Sequence, residues 1–310
     1  MHPTRQLAAT CLAWARRLFI PIALTFLLYS TYRASERLAP LIATLSVWHL
    51  LLAWTCWVTA QWIGPLTTVA FARILGLPLG YRELALISIL RLPAKYLPGG
   101  IWQSVARFTA YSQHEIKKTD SLTILIGEHL LALGVSVALG AALLLHSENV
   151  EVPYAIAVSI LASSIAILMV TALGILHVQK GGARTFFRIL LAMLATALFW
   201  IAAASSFCEY WNAAFGPHGT DFLRVASCYL LSWAAGFVAI FAPQGLGVFE
   251  WVAGHLLRSN QPLSVVVTVV AGFRLVMISG DLSAWFLALA LTRFWGKPST
   301  QAKKIECHHF

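Results

Sequence analysis

Apolar runs of about twenty residues recur along the chain, separated by short polar stretches. The ten-residue alternating segments of a membrane β-barrel are absent. The pattern predicts an all-α, polytopic transmembrane helical bundle. Continuous spans are expected at about 18–32, 38–63, 121–145, 152–177, 186–207 and 263–294, with polar connections at 146–151 and 179–184. Arg5, Arg16 and Arg17 before the first run imitate a signal peptide, but no small-x-small site follows, so an uncleaved first span is expected. Trp54, Trp57 and Trp62 in the second run are spaced as an interfacial aromatic belt would be.

Two places depart from this rhythm. Residues 84–92 are apolar but too short to cross a bilayer, and they run into a Pro98-Gly99-Gly100 break followed by a second short helix to about Gln113. The run 222–241 likewise enters Pro243-Gln244-Gly245-Leu246-Gly247 and then a short helix ending near Arg258. Broken backbone at membrane depth is tolerated only where protein or a water-filled cavity receives it, which predicts two re-entrant half-helix hairpins, at about 84–113 and 222–258. Pro98 and Pro243 are 145 positions apart, and Gly100 and Gly245 keep that offset. Three spans between the hairpins, an odd number, would make them enter from opposite faces as an inverted repeat. A single membrane domain is expected over 1–295, with a polar cytoplasmic tail over 296–310.

Composition agrees: 59% of residues are hydrophobic and 11% charged, against about a quarter charged in soluble domains. The net charge of +10 comes from basic residues scattered among short loops, without the basic arm that nucleic-acid binding would need. On the expected topology seventeen of the 22 Lys and Arg residues fall on one side. That bias places both termini and the first hairpin mouth in the cytoplasm and the second mouth outside, in a multi-pass inner membrane of bacterial type. The five cysteines form no CxxC pair and are expected to be packing residues.

The candidate chemistry sits at the breaks. A helix starting after Gly99-Gly100 offers free N–H groups and a positive dipole end, and Arg91, Lys95 and Arg107 lie around it, so a phosphate is the expected occupant. The same cations could instead serve only topology. Glu250, one turn into the helix after Gly245 and Gly247, either complements the helix dipole or pairs with a basic residue of the first hairpin. Glu128, Arg274 and Asp281 fall in apolar runs, where a charge needs a partner or water. Arg274 and Asp281, seven residues apart, could line one cavity, and Glu128 could pair with Arg274 or serve coupling. No Walker loop, HExxH, GxSxG or metal-nucleotide motif is found, so no enzyme activity, cofactor or metal is expected.

The segments YLPGGIWQSVAR (96–107) and FAPQGLGVFE (241–250), with Glu128 and Arg274, resemble signature positions of flippase-like membrane proteins related to the transmembrane region of lysylphosphatidylglycerol synthase. The resemblance covers about 38–291, although Trp102 stands where the family often carries glycine. It implies lipid flipping and a link to envelope polysaccharide or lipid modification, without the family's aminoacyl-transferase domain. The expected function is therefore binding and translocation of an anionic phospholipid or lipid-linked envelope intermediate. The alternative is a non-transporting membrane partner of a separate glycosyltransferase or lipid-modifying enzyme.

Overall fold

The computed structural model describes residues 40–96, 101–147, 152–217, 221–239, 242–257 and 262–295, with a few single positions in 25–36; of 152–164, 166–182, Pro243 and Trp295 it describes the backbone alone. The expected first span at 18–32, the Gly99-Gly100 turn, Arg258 and the tail 296–310 lie outside that set. Among the described residues the regular elements are all helical, as the pattern predicts.

Helix α1, Val47–Ile63, runs into α2, Pro65–Ile74, through Gly64. Pro65 occupies the first helical position, where its missing N–H is no loss. Gly76, at φ +71°, closes α2, and the Leu77 N–H donates to the Ala72 carbonyl. Then α3, Tyr81–Ile89, begins with the Gly80 N–H donating to the Glu83 carboxylate. It has nine residues, too few to cross a membrane, and it is followed by a 3-10 turn, Leu92–Tyr96. After the undescribed 97–100, α4 spans Trp102–Gln113 and touches α3.

Among the described residues three helices are long and apolar enough to cross a membrane: α5, Lys118–His146; the portion Ala183–Phe215 of α6; and α9, Leu263–Trp295, over Leu263–Phe294. Between the last two come α7, Phe222–Val238, a 3-10 turn at Pro243–Gly245, and α8, Val248–Leu256. Asp221 caps α7 by accepting from the Leu223 N–H at 3.1 Å. The second expected break is thus a turn between helices of 17 and nine residues, while Pro98-Gly99-Gly100 of the first lies outside the described residues.

One expectation fails. The polar stretch 179–184 was read as a loop, but it is helical, and α6 is one helix from Val152 to Phe215. Neighbouring Gly181 and Gly182 weaken a helix by only about 1 kcal/mol each and do not end it. Two helices, not three spans, therefore separate the breaks, and the parity that put them on opposite faces no longer holds.

The main core cluster draws on α1 to α9, and an aromatic group of Phe207, Tyr229, Phe249 and Phe273 sits at its centre. Trp57 is 4% exposed and faces this core, not a lipid interface. Close packing beside the site depends on Gly127 of α5. A Cβ there would meet the Phe71 ring of α2 at 2.6 Å. Gly127→Ala should cost about 1–3 kcal/mol by overpacking; Phe71→Leu added to it should recover part of the loss, read as the unfolding midpoint in detergent.

Candidate functional site

Three buried or half-buried ion pairs each tie one element to another. Lys95, in the first break, pairs with Asp281 of α9. The same carboxylate accepts from the Trp57 Nε1–H at 2.8 Å and from the Tyr96 hydroxyl, and it is 1% exposed. A carboxylate so enclosed needs that number of donors, because an unpaired buried charge is heavily penalised.

Arg107 of α4 grips Glu128 of α5 in a two-point contact, Nη1 to Oε2 at 2.7 Å and Nη2 to Oε1 at 3.0 Å. Its Nη2 also donates to the Tyr111 hydroxyl at 2.7 Å and to Thr68 at 3.2 Å, and the Thr68 hydroxyl donates to Glu128. Arg274 of α9 pairs with Glu250 of α8, Nε to Oε1 at 2.5 Å. The second Glu250 oxygen accepts from the Gly247 N–H at 2.6 Å, so Glu250 both caps α8 and holds Arg274.

The 3-10 turn that precedes the first break touches the second break. Gln244 donates from Nε2 to the Lys95 carbonyl at 2.6 Å, and its own carbonyl accepts from Arg274 Nη2 at 3.3 Å. The contact expected between Gly99-Gly100 and Gly245-Gly247 involves undescribed residues, and the Lys95 to Gln244 bond lies four and five positions before that pair. Gln244 and Gly245 hold left-handed backbone, at φ +55° and +63°, which turns the Gln244 amide toward the first break.

Beside this contact lies a cavity of about 490 Å³, the size of a headgroup pocket rather than of a lone ion. Lys95, Arg107, Glu128, His129, Gln244 and Arg274 are among its polar lining, and Trp57, Tyr229, Trp233 and Phe237 supply aromatic faces. Three polar atoms on residues of this wall have no partner among the described residues: Arg107 Nε, the Tyr229 hydroxyl and the Ser88 hydroxyl. All three can donate, so the cavity suits an acceptor-rich guest. Ile101 and Phe237 also line it while 57% and 39% exposed, which gives it an apolar rim.

Several expected pairings are replaced. Glu128 binds Arg107, not Arg274; Glu250 binds Arg274, not a cation of the first break; and Asp281 binds Lys95 and lies off the cavity wall. Residues seven apart on a helix are about 10 Å apart along its axis, so Arg274 and Asp281 reach different neighbours. Arg91 is not on the wall either; it donates to the Leu86 carbonyl at 3.4 Å. The sequence does not mark Thr68, Tyr111, Ser88 or Tyr229, since a hydroxyl in an apolar run carries no sign of what it faces. Among the described residues no cluster of three His, Cys, Asp or Glu is placed to hold a metal. A scan of protein-family models and a search of curated proteins return no match to the sequence.

Proposed function

We propose that the protein binds the anionic headgroup of a phospholipid or lipid-linked envelope intermediate in this cavity and carries it across the membrane. The observation that carries the reading is the cavity itself. It combines Arg107 and Lys95 with three unpartnered buried donors and an apolar rim for acyl or prenyl chains. A phosphate offers the acceptors those donors lack. The resemblance of the two proline-glycine motifs to flippase-like proteins supports the same reading. The breaks would act as two re-entrant arms whose contact through Gln244 and Lys95 opens and closes the site. Their matching layout supports a repeat of one unit.

The test is a leaflet-resolved assay in liposomes with a fluorescent phospholipid. Wild type should move the lipid, and a Lys95→Ala, Arg107→Ala double variant that remains monodisperse should do so at least about tenfold more slowly, since each lost charged contact is worth about 1.5–3 kcal/mol. Equal rates would sink the proposal. Lipid binding without movement would instead favour a non-transporting partner of an envelope enzyme.

A further inference from the structure

We infer that anion binding in this cavity takes up one proton, and that Glu128 is the group that accepts it. The inference rests on the headgroup-site reading above and adds a second ligand to it.

Charge balance is the starting point. Lys95, Arg107 and Arg274 carry three positive charges, and Asp281, Glu128 and Glu250, each bonded to one of them, carry three negative charges. The site is neutral when empty. A phosphodiester entering it brings one negative charge that no group there offsets, and an uncompensated charge in such surroundings is costly. Taking up a proton together with the anion restores neutrality.

Burial selects the acceptor. Glu250 is 0% exposed and Asp281 1% exposed, and neither lines the cavity. The Glu128 side chain is 12% exposed and is the one carboxylate on the wall among the described residues. Protonation there also does something for the anion. It ends the charge pairing of Glu128 with both Nη atoms of Arg107, whose Nε is already without a partner. The guanidinium can then offer a phosphate oxygen pair its two-point contact. The Arg107 to carboxylate pair is exchanged for an Arg107 to phosphodiester pair, the proton coming from buffer acid in bulk solution, which is left as its conjugate base.

The groups facing Glu128 are few. From α4 come Arg107 and Tyr111, and α2 supplies Thr68, which does not titrate. Lys95, Arg274 and Tyr229 share the cavity from the first break, α9 and α7. His129, next in α5, is the competing acceptor. Its Nδ1 is 2.6 Å from the Leu125 carbonyl and its ring stacks on Phe237 at 5.8 Å, leaving Nε2 to take a proton.

Titration calorimetry on the purified full chain in detergent, repeated in buffers of different ionisation enthalpy, counts the protons. The probe is dioctanoyl phosphatidylglycerol, whose phosphodiester keeps a single charge between pH 5.5 and 8. Its deacylated counterpart, glycerophosphoglycerol, is run in parallel to separate a lipid from a free diester. Wild type should take up about one proton per anion bound, with affinity falling by up to about tenfold per pH unit as pH rises. Glu128→Gln should bind the probe with no proton uptake and a flat pH dependence, and more tightly than wild type at pH 8. His129→Gln should keep the one-proton uptake. Binding by wild type without proton uptake overturns the inference and leaves the site reading intact. Uptake that persists in Glu128→Gln, or vanishes in His129→Gln, overturns the assignment to Glu128. No binding of either probe at any pH overturns the site reading and the inference with it. The wild-type count needs no variant, so a poorly folded Glu128→Gln leaves the test standing.

Discussion

Asp281→Ala is expected to lower the stability of the protein by about 3–5 kcal/mol, the usual cost of removing one partner of a buried ion pair. Asp281 is 1% exposed, and its two oxygens receive Lys95, the Trp57 indole and the Tyr96 hydroxyl. The substitution strands all three, and the charge of Lys95 is the most expensive to strand. Asp281→Asn should cost less, because an amide oxygen still accepts from Trp57 or Tyr96. The diagnostic result is non-additivity. Lys95→Met combined with Asp281→Leu replaces both charges by apolar groups of similar size, and it should regain much of what Asp281→Ala loses. Unfolding midpoints in detergent decide the matter: if Asp281→Ala melts with wild type, the pair does not hold the first break to α9.

That dependence on partners explains what the sequence could and could not tell. Charged residues in apolar runs marked Glu128, Arg274 and Asp281 as groups needing company, because the cost of an isolated charge is local and visible in the run itself. Who the company is depends on which helices touch. The i, i+7 spacing of Arg274 and Asp281 fixes a shared face, but α8 lies against one end of that face and the first break against the other. Trp57 misled for a similar reason, since a tryptophan in an apolar run reads alike whether it turns to lipid or to a buried carboxylate. The second break was legible because proline and glycine act on the backbone of their own segment. The continuity of α6 was not: a short polar run with two glycines looks like a loop, yet helix on both sides outweighs its weak propensity. The contact between the breaks, Gln244 to Lys95, joins residues far apart in sequence and follows from neither motif alone.

The second large effect is expected at Gly245, where backbone conformation and close approach act together. Gly245 has φ +63°, and a Cβ built on it would lie 2.9 Å from Cα of Gly236 on α7, with the Gly236 carbonyl carbon and oxygen at 3.1 and 3.2 Å. All three are backbone atoms, which cannot rotate aside as a side-chain tip can. The left-handed conformation costs an L-residue about 1–2 kcal/mol, and the overlap adds about 1–3 kcal/mol as the turn is pushed off α7. Gly245→Ala should therefore lose about 2–5 kcal/mol. Gly76→Ala isolates the first contribution, since Gly76 has φ +71° and nothing within 4 Å of the added Cβ; its loss should stay near 1–2 kcal/mol. Gly236→Ala approaches the same contact from the other side, with its Cβ 3.2 Å from Cα of Gly245 and no left-handed backbone to strain. If the three variants unfold together, the tight seat of the break on α7 contributes nothing. If Gly245→Ala and Gly236→Ala both fall and also weaken phospholipid binding, the seat is what keeps Gln244 within reach of Lys95 and Arg274, and so keeps the two breaks joined across the cavity.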